Sequence, residues 1–497
     1  MSRRRRPAAL LCGLVALSLL GSACGLKPEQ RDALKQAAAG QGAGTAAGGG
    51  LAAGGGLGLN TGGVAPGGTT GGAAGTTGGT GLGTTGGTGT TTGTGGTGTT
   101  TTGGTGTTGT TGTGSGTTAA GAPAGTKCST AGGDATGVTA STINIGIHAP
   151  QTGTGAPLPP SFQAGVAAYW KTHKVCGRTV NVDFQDDKYT PPTARQVCEP
   201  MARRDFIVIG AAGTDQIQSC ATDPAIAGKV PYLSAGVTTN GLTGLSNYFA
   251  FSLTYAQQAD LVLRNAQQNK YGMKKWAVIT SRTDNFKDAR QAMEDVLKNA
   301  NVPFTDIQVD ATNDSGLQGR AAQTGTSLAT GGYDTVFVDT APGYFVYMSQ
   351  AASKQTFTGQ YVGPGVTMTE VTVAQLICGP NPTIKANFLA PYPGIDRATD
   401  DFKAATGNKY DDIYWSLWGL SQSLEQALNA STSLTRQAFI ASLQAASLPG
   451  GVYPSIKFNG GHFGGTGAYS QVVNCNKVEP NQTQPGAWDT IGSVLSK

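Results

Sequence analysis

Histidine is scarce. The 497-residue chain holds three, His148, His173 and His462. A zinc or triad site wants paired ligands or a positioned base, and no such set stands around them. Several motifs are missing too: the G-x-S-x-G elbow, the phosphate loop G-x-x-x-x-G-K-[ST] and H-E-x-x-H. No G-x-G-x-x-G follows the first apolar strand, where Gly146-Ile147-His148-Ala149-Pro150 stands instead. No convergent nucleophile, base or metal set is left, so the reading is not an enzyme, and no cofactor is expected. Charge is sparse at 13%. Without the four arginines at positions 3–6, 30 basic residues face 29 acidic ones. That near-balance excludes nucleic acid as a partner, because such binding needs a concentrated basic footprint. No C-x-x-C occurs, which speaks against a zinc ribbon or thioredoxin site. The apolar run 8–20, about 13 residues, is too short for an ordinary spanning helix.

That run is an address. Arg3–Arg6 precede it, and Gly21-Ser22-Ala23 lead from it to Cys24. The pattern resembles a bacterial lipoprotein signal, with 1–23 removed and Cys24 lipidated. The resemblance implies an anchor on the outer face of the cytoplasmic membrane. The alternative is an ordinary secretory signal cleaved near Ala23. Positions 28–39 read as a short helix. From 61 to 118, 25 Gly and 26 Thr occupy 58 positions. Such a tract has almost nothing to bury and cannot offset its ordering entropy. The whole of 24–126 is therefore expected to be a disordered tether. About 85 Gly/Thr-rich residues give a root-mean-square reach of roughly 50 Å. The threonine density is a candidate for O-linked sugars. Six cysteines remain beyond Cys24, an even number in an exported protein, which points to disulfides among 15 possible connectivities.

From residue 127 the texture becomes that of a folded domain. Apolar runs at 143–147, 180–184, 206–209, 231–234, 276–280, 335–338, 360–362 and 387–390 read as strands. Helical patterns at 162–172, 193–203, 256–271, 287–299, 317–329 and 343–353 alternate with them. Near-continuous runs such as Ile207-Val208-Ile209 suit parallel strands covered on both faces. Strand–helix alternation predicts an α/β fold, and about eight units predict two lobes rather than one sheet. Small, polar loops follow four strands, at 210–214, 234–239, 281–284 and 339–342. In an open sheet these lie at the carboxyl ends of the strands, where ligands bind. Helix capping is the plainer role of each loop. His148 reads either as a ligand contact or as a structural residue. Asp186-Asp187 reads as a cation site or, more simply, a solvated turn. Tyr414, Trp415 and Trp418 have helical spacing, which suits core packing better than a sugar or base platform.

From Ser141 to about Asn476 the chain resembles the amino-acid and branched-chain substrate-binding proteins of bacterial ABC importers. The likeness rests on Ile143-Asn-Ile-Gly-Ile-His, Thr152-Gly-Thr-Gly, Phe162-Gln-Ala-Gly-Val-Ala-Ala and Val182-Asp-Phe-Gln-Asp-Asp. It continues through Val208-Ile-Gly-Ala-Ala-Gly-Thr and Val230-Pro-Tyr-Leu-Ser-Ala-Gly-Val-Thr-Thr. It implies the type I periplasmic-binding-protein fold: two lobes, each a mainly parallel sheet flanked by helices, joined by a three-segment hinge. The crossings are expected near 251–255, 389–393 and 453–458. Lobe one is then 141–252 with 393–453, and lobe two 256–389 with 458–497. The same resemblance implies disulfides Cys198–Cys220, Cys128–Cys176 and Cys378–Cys475.

By position, it implies ligand contacts from Thr152, Ala212, Thr214, Gly236 and Thr238 on lobe one. On lobe two it implies Phe286 and the segment around Tyr344. Many amino-acid binders place an acid just after the pair matching Gly363-Pro364. Gly365 and Val366 stand there, and the next acid is Glu370. A buried ammonium needs a counter-charge, so Asp339 or Asp284 would have to supply it. The implied role is capture of an amino acid, carboxylate or amide and delivery to an ABC permease. A ligand-sensing receptor on the same fold is the alternative.

Overall fold

The computed structural model describes residues 127–152, 161–312, 314–366 and 368–497. The signal, Cys24, the 28–39 helix and the Gly/Thr tether lie outside them. Among the described residues no helix is long and apolar enough to cross a membrane.

The first sheet opens with β1 (Thr142–Ala149), whose inward face is Ile143, Ile145 and Ile147, all fully buried. α1 (Ser161–Trp170) and the short β2 (Lys174–Val175) lead to β3 (Arg178–Asp186). Then come α2 (Pro191–Arg204), β4 (Ile207–Gly210), α3 (Thr214–Ala221), β5 (Tyr232–Ser234) and β6 (Tyr248–Ala250). The order in space is β2-β3-β1-β4-β5-β6, and all neighbours except β2–β3 run parallel.

α4 (Tyr255–Gln268) starts the second unit behind a capping box. The Thr254 hydroxyl takes the Gln257 N–H while the Gln257 side chain takes the Thr254 N–H. β7 (Trp276–Ser281), α5 (Lys287–Asn299), β8 (Phe304–Val309), α6 (Leu317–Thr330), β9 (Thr335–Asp339), α7 (Pro342–Lys354), β10 (Gln360–Pro364), α8 (Val371–Cys378) and β11 (Lys385–Ala390) follow. The second sheet is ordered β15-β14-β11-β10-β9-β7-β8, with β14 (Gly467–Asn474) and β15 (Ala487–Ser496) antiparallel at one edge. In the first sheet β1 has β3 on one side and β4 on the other, and in the second β7 lies likewise between β8 and β9. Each sheet therefore has a topological switch point, where ligands of open α/β sheets sit.

Between β11 and β14 the chain returns to the first lobe as α9 (Asp400–Thr406), α10 (Asp412–Ala430) and α11 (Arg436–Gln444). A hairpin of β12 (Ser447–Leu448) and β13 (Ile456–Lys457) follows. The core beneath the first sheet joins Ile145 and Phe206 to Trp415, Leu424, Phe439 and Phe458. Tyr414 is half-buried against it. The third passage falls at 464–466, later than the expected 453–458. The reason is that the His462 carbonyl accepts the Ala250 N–H at 2.8 Å and the Gly464 N–H donates to the Ala250 carbonyl at 2.9 Å. These bonds extend the edge of the first sheet with residues 462–464.

Three disulfides join Cys128–Cys176, Cys198–Cys220 and Cys378–Cys475. The first ties the entering chain to the turn before β3, and the second ties α2 to α3. The third fastens the end of α8 to the end of β14.

Candidate functional site

The carboxyl ends of the two sheets face one another across a cleft. Its first chamber is small, about 30 Å³, and part open to solvent. Tyr189, Gly213 and Thr214 line it from the first lobe, and Phe286, Asp339, Pro342 and Met368 from the second. A second chamber, also of about 30 Å³, shares Val366 with the first. Phe162, Ala212, Leu417, Leu420, Tyr392 and Glu370 line that one, so it is apolar with one carboxyl group.

Local chemistry explains these positions. Asp187 accepts the Tyr189 N–H at 2.8 Å, and Lys188 and Tyr189 both hold left-handed backbone, φ 52° and 58°. Bulky residues rarely adopt that conformation without compensation. Here it turns the Tyr189 ring into the cleft, where it is buried. Gly213, at φ 83°, caps α3, and a Cβ there would meet the Gln216 side chain at 2.2 Å. The turn thus brings the first N–H groups of α3 to the chamber, a polarity suited to a carboxylate. The Thr214 hydroxyl bonds the Tyr255 phenol, whose ring stacks on Phe286 with centroids 6.1 Å apart.

The electrostatics are acidic. Among the described residues, no Lys or Arg lines either chamber. Asp339, at the end of β9, is 4% exposed, and its Oδ2 has no hydrogen-bond partner. Burial, with Asp288 nearby, holds this carboxyl well above the usual carboxylate range. Burial and Asp411 push Glu370 up to about 8. Asp215, in the first turn of α3, is raised by burial to about 6 although Asn285 donates to it. A buried carboxyl with a free oxygen is costly unless protonated or paired, so the cleft is prepared for a cationic or hydrogen-bond-donating group.

The lobes touch across this cleft. The Asp288 Oδ2 accepts the Thr239 N–H at 2.7 Å and the Thr239 hydroxyl at 2.8 Å. Asn285 also bridges to Asn240 at 3.4 Å and to Asp215. The structure therefore shows a closed arrangement.

Of the residues expected at the ligand, Ala212, Thr214, Phe286 and Asp339 line the chambers. The others are engaged elsewhere. Thr152 bonds Asp186 from an exposed turn. Gly236 is pressed against the hinge, where a Cβ would stand 2.3 Å from the Leu253 carbonyl oxygen, and its N–H donates to Ser252. Thr238 is fully buried and accepts the Asn240 N–H. Asp284 is exposed on a 3₁₀ turn. Tyr344 points back to α6, bonding Thr324 at 2.7 Å. His148 is structural: it is fully buried, with Nδ1 2.8 Å from Asp187 and Nε2 2.6 Å from the Tyr232 hydroxyl. Asp186 and Asp187 bind neighbouring N–H groups as a turn. Sequence reasoning missed Tyr189, Val366, Met368, Phe162, Leu417 and Glu370 as lining residues. The Asp-Asp turn before Tyr189 was the one available signal.

A family profile described as "Periplasmic binding protein" matches residues 142–477. No curated protein matches the chain. Three solved structures show the fold it shares. A fatty acid ABC transporter substrate-binding protein from Thermomonospora curvata superposes with a TM-score of 0.59 at 16% identity, covering 72% of this chain and 95% of that one. A solute-binding protein of an ABC transporter from Rhodopseudomonas palustris BisB5, in complex with 3,4-dihydroxybenzoic acid, gives 0.57 at 17%, over 71% and 98%. A branched-chain amino acid transporter substrate-binding protein from Streptococcus pneumoniae, in complex with isoleucine, gives 0.56 at 18%, over 71% and 100%.

Proposed function

Since the chain belongs to the periplasmic binding protein family, whose members bind solutes and are not enzymes, we propose that it captures a small solute with a nitrogen donor and an apolar body, an amino acid or amide, for an ABC permease. The observation that carries this reading is Asp339, a buried carboxyl with an unpartnered oxygen facing a chamber without a cation. An ammonium there would draw the carboxyl into its charged form. The N–H groups at 213–214 offer a place for a carboxylate. Phe162, Leu417 and Leu420 offer an apolar surface for the side chain once the lobes part far enough to admit it. A solute whose sole charge is a carboxylate finds two acidic groups, Asp339 and Glu370, and no counter-charge along this cleft, although two of the similar proteins are described with an aromatic acid or as fatty acid binders.

Binding follows from closure rather than chemistry. The open form admits the solute, the lobes shut, and the rim bonds of Asp288 and Asn285 form. A solute shifts this equilibrium only by its differential affinity for the closed form. We further infer that Cys24 carries lipid and that the Gly/Thr tract lets the lobes range above the membrane to reach the permease.

A thermal-shift screen of amino acids, amides and short-chain acids tests the solute class. A ligand at 100 times its Kd adds about 2.7 kcal/mol to stability. Amino acids or amides should stabilise the protein, and stabilisation by acids alone would sink the reading. Co-purification with a permease supports delivery, whereas co-purification with a membrane receptor instead would mark a sensor. Labelling with an alkyne fatty acid, lost in Cys24→Ala, tests the anchor.

A further inference from the structure

Each chamber of the cleft holds one carboxyl group, Asp339 in the first and Glu370 in the second. A single stretch of chain serves both: Pro364, Val366 and Met368 line the first, and Val366 and Glu370 the second. The second wall is otherwise largely apolar, with Phe162, Leu417 and Leu420 upon it. The cleft therefore offers two acids, an aliphatic surface and, among the described residues, no Lys or Arg.

Glu370 differs from the acids around it. Asp411 caps α10, its two oxygens taking the Ser161 hydroxyl at 2.6 Å and the Tyr414 N–H at 3.0 Å. Asp412 takes the Val371 N–H, and Glu479 takes the Trp488 N–H at 3.5 Å. Lys477, the cation that acts on Glu479, is paired with Asp489. Glu370 engages its neighbours through its backbone carbonyl, which accepts from the Trp488 Nε1 at 3.0 Å. Among the described residues its carboxyl makes no hydrogen bond and no ion pair, yet it stands half-buried on an apolar wall. A carboxyl so placed is costly to ionise without a partner, and an arriving cation would supply one.

Resting on the amine reading above, we propose that the cleft solute is an amino acid whose side chain ends in a second ammonium, a lysine- or ornithine-like diamino acid. Asp339 meets the α-ammonium, and the N–H groups at 213–214 meet the carboxylate. The methylenes lie over Phe162, Leu417 and Leu420 and carry the terminal ammonium to Glu370. Aliphatic stems cover apolar surface in this way while their charged heads find polar partners. The chambers are small in the closed arrangement, so the bound solute sets the lobes slightly further apart. Glu370 is then the residue that separates a diamino acid from an apolar one.

The test is calorimetric titration of the full chain with lysine, ornithine and norleucine. Norleucine matches the lysine chain but lacks the terminal amine. Lysine or ornithine should bind at least tenfold more tightly than norleucine, the scale of one hydrogen bond to a charged group. Glu370→Gln should abolish that preference while norleucine affinity holds, and the retained norleucine binding shows that the variant is folded. Asp339→Asn should weaken lysine and norleucine alike. Equal affinity for lysine and norleucine, or a preference that survives Glu370→Gln, overturns the diamino-acid assignment and leaves the amine or amide reading standing. Binding by short-chain acids with none by any amino acid or amide overturns both.

Discussion

Asp412, at the start of α10 in the first lobe, accepts the backbone N–H of Val371, the first residue of α8 in the second, at 2.8 Å. Its other carboxyl oxygen is buried and unpartnered. Glu370, Asp411 and Glu479 surround this junction, and burial raises all four carboxyl groups. This contact between the lobes therefore favours protons.

The sign follows directly. Glu370 moves from 4.5 to about 8 and Glu479 from 4.5 to about 7. The folded form thus binds protons that the unfolded chain has released. Their contribution is complete below about pH 4.5 and is lost as pH rises through 7 to 8. Each group contributes a slope of up to about 1.4 kcal/mol per pH unit inside that window. Asp134, Asp186 and Asp310 are lowered and titrate beneath it. Thermal midpoints should fall between pH 5 and 8, and Glu370→Gln should flatten the decline. A profile that rises over this range contradicts the assignment.

Asp339 should govern the cleft solute. If that solute is an amine, Asp339→Asn removes its counter-charge and should weaken binding at least tenfold, while Asn keeps the volume and the fold. Binding by the unaltered protein should also release a proton, because the buried carboxyl ionises against the ammonium. Calorimetry in buffers of different ionisation enthalpy reads this release. An amide ligand shows no release and a smaller loss in the variant. Unaltered affinity in Asp339→Asn removes this residue from the site.

The rim clasp should set the closed population. Asp288 holds both the N–H and hydroxyl of Thr239. Hydrogen bonds to a charged group contribute about 1.5–3 kcal/mol. Asp288→Ala should therefore shift the protein toward open and weaken solute binding roughly tenfold or more. Small-angle scattering without solute should show a larger radius of gyration. An unchanged radius together with unchanged affinity would mean that closure does not depend on this contact.

How much of this was legible depended on burial. Strands covered on both faces, such as 207–209 and 335–338, appeared as unbroken apolar runs and fell where the sequence predicted. β8 and β15 did not, because polar residues interrupt Phe304-Thr-Asp-Ile-Gln-Val and Ala487-Trp-Asp-Thr-Ile and both strands are partly exposed. α3 is missing from the predicted helices, since Thr-Asp-Gln-Ile-Gln-Ser-Cys-Ala is short and polar. In the site, residues right after the strands were partly readable from position. Tyr344 was not, because which way a helix's first turn faces depends on its partner, here Thr324 of α6. Glu370 and Leu417 reach the cleft only through the closing of one lobe on the other, a contact between segments distant in sequence that no local pattern reports.

The Cys378–Cys475 disulfide closes a loop with a sequence separation of 97, the longest of the three. On the chain-entropy account a loop of that size contributes about 4–5 kcal/mol, against roughly 3 for the short Cys198–Cys220 loop. It also fastens an edge of the second sheet. β14 and β15 are antiparallel additions at the edge of a parallel sheet, and β15 is half-exposed or exposed over much of its length. Replacing both cysteines with serine should lower the urea midpoint by an amount equivalent to about 3–5 kcal/mol. Hydrogen exchange should rise first in β14 and β15, while the first sheet keeps its protection. A uniform rise across both sheets would show that the bond stabilises the whole domain rather than this edge.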